Sequence, residues 1–269
     1  MMMNRILITG AAGRIGRTLR EGLARRYRLL RLLDVAPLGE AAAGEELMRA
    51  DITELAAMEA ALDGIDCVVH LAGVPEEDSW EKILPANIVG TYNVFEAARR
   101  RRVRRIVFAS TNHVVGFHSR ERRLDETVMP RPDTRYGASK AFGEALGRLY
   151  ADKHGMSVAC LRIGSFQPKP RDERQLSTWI SPRDTVALVR CAIEAPHYHF
   201  LIVYGVSNNR DRRWFDEASP RIDYAPQDDA EHFAAEIRAR GEKPDPIAAR
   251  FHGGPYCAME FAGDAAKID

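Results

Sequence analysis

Residues 5–16, RILITGAAGRIG, join a short apolar run to a glycine-rich turn and the start of an amphipathic segment. The run 6–8 is apolar at consecutive positions, which is typical of a central parallel strand covered by helices on both faces. Gly10, Gly13 and Gly16 then permit a tight turn and close approach of the backbone to a ligand. The stretch predicts a strand, a nucleotide-binding loop and a helix whose free amide groups face a diphosphate.

The same alternation of apolar runs and amphipathic segments continues through the first two-thirds of the chain. The runs predicted as strands are 5–9, 29–33, 67–71, 104–110 and 157–162. Strands that alternate with helices favour a doubly wound parallel sheet, the Rossmann type of α/β fold.

The regular alternation of apolar runs and amphipathic segments ends after Arg162, where Pro-rich and charge-rich connections appear. Here we predict helices at 185–194 and 228–240 and one strand at 200–204. The whole chain, 1–269, is therefore predicted to form a single Rossmann-type domain. Residues from about 163 to 269 are expected to contribute a small C-terminal substrate-binding lobe.

Charge and cysteine content limit the possible partners. The 39 Lys and Arg residues nearly balance the 38 Asp and Glu residues, so no net field favours binding to nucleic acid or an anionic membrane. The four cysteines form no CxxC pair, which suits a reducing compartment better than a disulfide framework. With no apolar stretch long enough to span a bilayer, we expect a cytoplasmic protein that acts on a small molecule.

An acidic residue strengthens the interpretation of the glycine loop. Asp34 ends the second predicted strand, eighteen residues after Gly16, where a carboxylate can accept both ribose hydroxyls of an adenosine. Because that carboxylate would repel a 2′-phosphate, the predicted cofactor is NAD rather than NADP. Arg14 and Ile15, inside the loop, are also expected to touch it. Arg14 leaves two alternatives open, since it could offset the repulsion or be a solvated side chain.

Further cofactor contacts are expected where later strands end. Ligands of such sheets lie at the carboxyl edge, where one group of residues ends a predicted third strand, up to residue 52, and another ends the fourth, which begins at residue 67. These residues are Asp51, Ile52, Leu71, Ala72 and Gly73.

Tyr136 and Lys140 are four residues apart, which places a phenol and an ammonium one turn apart on one helix face. A cation ~4 Å away at an effective dielectric of ~20 contributes roughly 4 kcal/mol, or about three pKa units, toward tyrosinate. The pair could thus remove a hydroxyl proton while a hydride leaves the same carbon. Thr111, at the carboxyl end of an apolar strand, could polarise the substrate.

Together these residues resemble the extended short-chain dehydrogenase/reductase set over nearly the whole chain. The match comprises the glycine loop, Asp34, the Asn87-Ile-Val-Gly90-Thr91 stretch, Thr111 and the Tyr136/Lys140 pair. The resemblance implies that Tyr136 is the acid/base and that Thr111 hydrogen-bonds the reacting oxygen. It implies that Lys140 binds the nicotinamide ribose and lowers the tyrosine pKa. It also implies that Asn87 supports a helix and a bound water.

Five further segments resemble the uronate dehydrogenases of that superfamily. They are FASTNH at 108–113, RIGS at 162–165, RQLSTW at 174–179, HLAG at 70–73 and RFHGG at 250–254. The resemblance implies oxidation of cyclic galacturonate or glucuronate at C1 to an aldarolactone with NAD. The short C-terminal lobe agrees, because nucleotide-sugar enzymes need room for a nucleoside diphosphate.

The remaining candidates would bind the uronic acid. The planar fork of Arg174 could hold the carboxylate bidentately. Asn112, His113 and Ser165 would supply hydrogen bonds to ring hydroxyls, and no metal is required. The sequence departs from the family at Pro75, where relatives have a serine beside the substrate, so one expected contact is missing.

Several alternatives stay open at this point. A nucleotide-sugar epimerase or dehydratase would share the loop and the Tyr136/Lys140 pair, and a nucleotide-sensing regulator would share the fold. The sequence does not distinguish galacturonate from glucuronate. The helices predicted at 80–100 and 136–154 could form a subunit interface of a homo-oligomer, although a core-facing stripe gives the same pattern.

Overall fold

The computed structural model describes residues 3–214, 218–241 and 243–268. Its centre is a seven-stranded sheet in the order β3-β2-β1-β4-β5-β6-β9, and every neighbouring pair is parallel. The strand order reverses direction between β1 and β4, which creates the crevice where ligands of such sheets bind. The predicted doubly wound fold is confirmed.

The strands have the following bounds: β1 Arg5–Thr9, β2 Leu29–Asp34, β3 Glu45–Arg49, β4 Cys67–His70, β5 Arg105–Thr111, β6 Ser157–Ile163, β7 Ser165–Phe166, β8 Trp179–Ile180 and β9 Phe200–Gly205. The short strands β7 and β8 pair in parallel as a separate ribbon beside the carboxyl edge of β6.

The α-helices are α1 Arg14–Gly22, α2 Leu55–Ala61, α3 Trp80–Ile83, α4 Gly90–Arg100, α5 Arg135–His154, α6 Gln175–Thr178, α7 Pro182–Glu194, α8 Ala218–Arg221, α9 Ala234–Ala239, α10 Pro246–Arg250 and α11 Pro255–Ala258. A π-helical segment, Leu84–Val89, joins α3 to α4 without a break. Short 3₁₀ segments cover Asn112–Val115, Ala230–Phe233 and Ala265–Lys267.

Successive strand residues point to opposite faces of the sheet, and both faces are covered by helices. Ile6 and Ile8 of β1 pack in one core, which includes residues of α1 and α7. Leu7, between them, packs in the other core with residues of α2, α4 and α5. All three side chains are fully buried, which explains why a consecutive apolar run predicted a strand correctly.

The predicted boundaries shift slightly where capping groups decide them. The helix predicted at 185–194 begins at Pro182, because the Ser181 hydroxyl caps it by accepting from the Asp184 amide at 3.0 Å. The helix predicted at 228–240 is wrong as one element. Asp229 caps a 3₁₀ turn, and the α-helix begins only at Ala234.

Two smaller apolar clusters lie outside the sheet. One joins Val114 and Val115 to Leu124 and Trp214, and the other packs Trp179 against residues of α9. The segments after β6 thus pack beside the carboxyl edge of the sheet. Among the described residues, no helix is both long and apolar enough to cross a membrane.

Candidate active site

The glycine loop has the shape that a close backbone approach requires. Gly10 has a φ of +73°, and a Cβ added there would lie 2.7 Å from the Ala72 nitrogen. A Cβ added at Gly16 would lie 2.4 Å from the Gly10 carbonyl oxygen. Only glycine fits either position, so the loop packs tightly at the crevice between β1 and β4.

The helix after the loop offers free amides to a ligand. Gly13 is the N-cap of α1, and no side chain caps the helix. The amides of Arg14, Ile15 and Gly16 therefore find no side-chain acceptor among the described residues, and they lie at the positive end of the helix dipole. Such a terminus fits the diphosphate of a dinucleotide.

Asp34 lies where the adenosine ribose of a dinucleotide would bind. Its Oδ2 accepts from the Ala12 amide at 2.9 Å and its Oδ1 accepts from the Ala36 amide at 2.9 Å. Each carboxylate oxygen can still accept another hydrogen bond, so both ribose hydroxyls can be bound. The hydrogen bond from the Ala12 amide thus holds Asp34 against the glycine loop.

Arg14 is engaged on the other side of the loop. Its Nη2 donates to the Phe166 carbonyl at 2.9 Å and to Gln167 Oε1 at 2.8 Å, and its guanidinium lies 5.7 Å from the Phe166 ring centroid. The guanidinium therefore ties the glycine loop to the segment after β6. Arg14 is exposed to solvent, and among the described residues it forms no hydrogen bond to Asp34.

The structure places the other expected cofactor residues at the same edge of the sheet. Asp51 Oδ1 accepts from the Thr53 amide at 2.9 Å, while the buried Ile52 offers its carbonyl to Asn93 Nδ2 at 3.1 Å. The Leu71 amide donates to the Thr9 carbonyl at 3.2 Å, and the Ala72 amide donates to the Thr9 hydroxyl at 3.3 Å.

Asn87 holds the loop after β4 against α5. Its Oδ1 accepts from the Val74 amide at 2.7 Å, and its Nδ2 donates to the Val74 carbonyl at 3.1 Å and to Ser139 Oγ at 3.0 Å. Gly73 has a φ of +143°, and a Cβ there would lie 2.7 Å from Asn87 Oδ1. Asn87 thus links the predicted cofactor edge to the helix that carries Tyr136.

Tyr136 and Lys140 lie on the first two turns of α5. The N-cap Thr134 accepts from the Gly137 amide at 3.0 Å, which fixes the start of this helix. Lys140 Nζ lies 5.1 Å from the Phe108 ring centroid and 5.8 Å from the Tyr136 ring centroid. Thr111, the last residue of β5, lies close enough to the Tyr136 phenol to lower its pKa.

The electrostatics differ from the expectation that Lys140 lowers the pKa of Tyr136. Burial raises the pKa of the Tyr136 phenol, and the hydrogen bond from Thr111 opposes that rise. Burial also lowers the pKa of Lys140 from 10.5 to about 8. Burial therefore disfavours both the charged phenolate of Tyr136 and the charged ammonium of Lys140. The spacing of the two residues in the sequence does not reveal this effect.

Arg174 lies directly before α6 and contacts the residue that follows β5. Its Nε donates to the His252 carbonyl at 2.7 Å. The Asn112 amide, oriented to satisfy its neighbours, accepts from Arg174 Nη2 at 2.7 Å and donates to the Ile163 carbonyl at 3.2 Å. Among the described residues, the N–H groups without a partner are those of Nη1 and the second one of Nη2. A carboxylate would therefore bind end-on to these two nitrogens.

His113 and Ser165 follow the carboxyl ends of β5 and β6. The Ser165 hydroxyl lies 2.7 Å from the Thr178 hydroxyl, so α6 positions it. The His113 ring lies edge-on to Tyr136, with centroids 6.2 Å apart. Of the predicted substrate residues, the structure brings together Thr111, Asn112, His113, Tyr136 and Arg174 through direct or consecutive contacts.

Three residues of this region were missed by the sequence reasoning. Asp133 pairs with His113, Tyr256 stacks on the His113 ring, and Glu77 accepts from the Tyr136 amide at 2.8 Å. Glu77 also pairs with Arg135. Asp133, only three residues before Tyr136, could have been noticed from its position, whereas Tyr256 and Glu77 are distant in sequence and carry no such signal.

Comparisons with known proteins agree with this geometry. Residues 6–197 match the NAD-dependent epimerase/dehydratase family. The chain is 44% identical to a uronate dehydrogenase of Agrobacterium fabrum, over 94% of this chain and 97% of that protein. It is 39% identical to one of Pseudomonas syringae pv. tomato, over 97% and 96%. A crystal structure of a mutant uronate dehydrogenase from Agrobacterium tumefaciens complexed with NAD superposes with a TM-score of 0.91 and 42% identity, covering 95% of this chain and 97% of that one.

Proposed function

This chain belongs to the NAD-dependent epimerase/dehydratase family, and we propose that it is a uronate dehydrogenase that oxidises cyclic galacturonate or glucuronate at C1 to the aldarolactone. The observation that carries the proposal is the contact between Arg174 and Asn112, next in sequence to Thr111. Through Asn112, a partly buried guanidinium is held next to the residue proposed to bind the reacting oxygen. A sugar with a carboxylate remote from its reacting hydroxyl has the complementary arrangement.

The cofactor is NAD, which takes the C1 hydride when bound. The amides at the start of α1 fit its diphosphate, and Asp34 fits the adenosine ribose while disfavouring a 2′-phosphate. We assign Asp51, Ile52 and residues Leu71, Ala72 and Gly73 to the edge that surrounds the adenosine and linking ribose. Asn87 holds this edge in place through Val74.

The proton leaves the substrate through Tyr136. The Thr111 hydroxyl faces the phenol and favours its ionised form, and Lys140 Nζ lies 5.8 Å from the centroid of the same ring. The phenolate accepts the C1 hydroxyl proton as the C1–H bond breaks. Burial makes the free phenolate costly, so proton transfer and hydride departure are expected to be coupled within the substrate complex.

Recognition of the uronate rests on Arg174. Two of its nitrogens, Nη1 and Nη2, are expected to hold the carboxylate end-on, while the Nε bond to the His252 carbonyl fixes the plane of the guanidinium. Asn112, His113 and Ser165 would bind ring hydroxyls. We therefore propose that the chain forms a single domain in which residues from about 163 to 269 contribute the substrate lobe.

We also propose that the enzyme is cytoplasmic and that it forms a homo-oligomer. Four large apolar side chains are exposed on neighbouring helices: Leu84, Val89 and Tyr92 on the π-helix and α4, and Leu149 on α5. Such a patch favours a subunit interface. The four free cysteines, three of them buried, favour a reducing compartment. Light scattering of wild type and Tyr92→Glu measures the mass, and unchanged monomers in both would refute the interface.

The function is tested by NADH absorbance with galacturonate, glucuronate, their parent aldoses and UDP-sugars. We expect net NADH from the free uronates. Tyr136→Phe should lower kcat by at least about a thousandfold while NAD affinity, measured by titration of protein fluorescence, stays unchanged. Tyr92→Phe, which changes an exposed tyrosine, is the control. Conversion of a UDP-sugar without net NADH would establish an epimerase instead.

A second experiment isolates the role of Arg174. Arg174→Met should lower kcat/KM for uronates by about a hundredfold, since a charge-assisted hydrogen bond is lost. It should leave kcat/KM for the parent aldose nearly unchanged, because the aldose has no carboxylate. Arg171→Met, an exposed arginine of the same segment, is the matched control. Equal losses for uronate and aldose would contradict the assignment.

A further inference from the structure

His113 is paired with a carboxylate that solvent does not reach. Its Nδ1 lies 2.7 Å from Asp133 Oδ2, and the Asp133 side chain is 0% exposed. The other carboxylate oxygen, Oδ1, accepts from the Thr134 hydroxyl at 2.9 Å. Because a carboxylate only accepts hydrogen bonds, the bond to Asp133 requires a hydrogen on His113 Nδ1.

The backbone around Asp133 prevents the carboxylate from moving away. A Cβ added at Gly116 or at Gly253 would lie 1.9 Å from Asp133 Oδ2. These two glycines come from different parts of the chain, one after β5 and one before α11, and the Gly253 amide bonds the Gly116 carbonyl at 2.9 Å. Both segments therefore hold Asp133 against His113.

The imidazole plane is fixed as well. Tyr256 of α11 stacks on His113 with ring centroids 4.1 Å apart and an interplanar angle of 29°. Tyr136 meets the same ring at 65°, with centroids 6.2 Å apart. Among the described residues, the second ring nitrogen, Nε2, has no hydrogen-bond partner. The ring is thus clamped by its other atoms, while Nε2 is available to a ligand.

We propose that Asp133 and Tyr256 are positioning residues that present His113 Nε2 as a hydrogen-bond acceptor to a hydroxyl of the substrate ring. This inference rests on the proposed function, since it needs a sugar bound beside Tyr136. The Nδ1–Asp133 bond sets the tautomer, and the Tyr256 stack sets the ring plane. The C-terminal segment therefore takes part in substrate selection without touching the reacting atoms.

The first test needs no substrate. Long-range ¹H–¹⁵N spectra of wild-type protein with ¹⁵N-labelled histidine should show His113 protonated at Nδ1, with assignment from the His113→Asn variant. Asp133→Asn should add a population protonated at Nε2. Protonation of wild-type His113 at Nε2 would overturn the proposal whatever the enzyme's substrate.

The second test is a double-mutant cycle in steady-state kinetics. Asp133→Asn should raise the uronate KM by about tenfold and leave the NAD KM unchanged. In a His113→Ala background the same change should alter the uronate KM by less than about twofold, because Asp133 acts through the histidine. Equal effects in both backgrounds would assign Asp133 a purely structural role. Tyr256→Leu should raise the uronate KM, whereas Tyr256→Phe should retain wild-type values.

Asp184→Asn serves as the matched control. Asp184 is also a buried aspartate, and its Oδ2 accepts from the Ser207 hydroxyl at 2.6 Å. A uronate KM raised equally by Asp184→Asn would trace the effect to lost stability and overturn the positioning role. Wild-type protein that is inactive on every uronate would instead refute the proposed function, while the spectra would still report the tautomer.

Discussion

Replacing Lys140 with methionine should stabilise the protein and abolish turnover. Lys140 is a buried residue, and among the described residues no acidic side chain forms an ion pair with it. Methionine has nearly the same length and carries no charge to desolvate. The charge of Lys140 is thus needed for activity but lowers the free energy of unfolding, because its buried surroundings disfavour a charged group.

The size of the effect follows from the pKa of Lys140, which burial lowers from 10.5 to about 8. Each tenfold loss of proton affinity corresponds to about 1.36 kcal/mol, so the charged form costs on the order of 3 kcal/mol at neutral pH. Contact of Nζ with the Phe108 ring face offsets about 1–2 kcal/mol. We expect Lys140→Met to raise the free energy of unfolding by about 1–2 kcal/mol at pH 7.

The pH dependence makes the prediction specific. Between pH 8 and 10.5 the unfolded chain binds more protons than the folded chain, so wild-type stability should rise with pH in that window. The advantage of Lys140→Met should therefore fall by about 2 kcal/mol between pH 7 and pH 10.

Urea denaturation of the cofactor-free protein, followed by tryptophan fluorescence, measures these differences at each pH. Lys153→Met changes an exposed lysine of the same helix and should shift stability by less than about 0.5 kcal/mol at any pH. A variant less stable than wild type at pH 7, or an advantage that grows with pH, would refute the desolvation argument.

Three other outcomes are expected. Arg14→Gln should change the NAD/NADP ratio of kcat/KM by less than about threefold, because its guanidinium bonds Phe166 and Gln167; a large gain in NADP use would contradict this. Glu144→Gln should lower the free energy of unfolding in urea by about 3–5 kcal/mol, since it leaves buried Arg162 without its carboxylate. The control Asp152→Asn, at an exposed position of the same helix, should lower it by less than about 1 kcal/mol. Burial lowers the pKa of His70 to about 3, so below pH 6.5 the unfolded chain binds more protons than the folded chain. The free energy of unfolding should therefore fall by about 3 kcal/mol between neutral pH and about pH 4. Potentiometric measurement of proton uptake on unfolding checks this, and His70→Gln should take up about one proton fewer.

Much of the fold could be predicted because buried parallel strands leave a direct signal. Runs such as residues 6–8 and 67–69 must be apolar at every position when helices cover both faces. The glycine loop was equally readable, since Gly10 and Gly16 occupy positions that no side chain can share. Boundaries were less predictable, because capping groups such as Asp229 decide where a helix begins.

The candidate site could be predicted where function depends on local spacing. Tyr136 and Lys140 are four residues apart on one helix, and Asp34 ends the strand beside the glycine loop. Asp133 and Tyr256 could not be assigned in this way. Their role exists only because Gly116 and Gly253 bring the C-terminal segment against the residue that pairs with His113.

The sequence by itself determined the sheet, the nucleotide loop and the helix face with the phenol and the ammonium, because each depends on residues close together in the chain. Only the tertiary structure decided in which direction the two pKa values of that pair move, and how Arg174 is oriented. Burial, which raises the pKa of Tyr136 and lowers that of Lys140, comes from distant segments. The His252 carbonyl that fixes Arg174 lies 78 residues away, and no local pattern records such a contact.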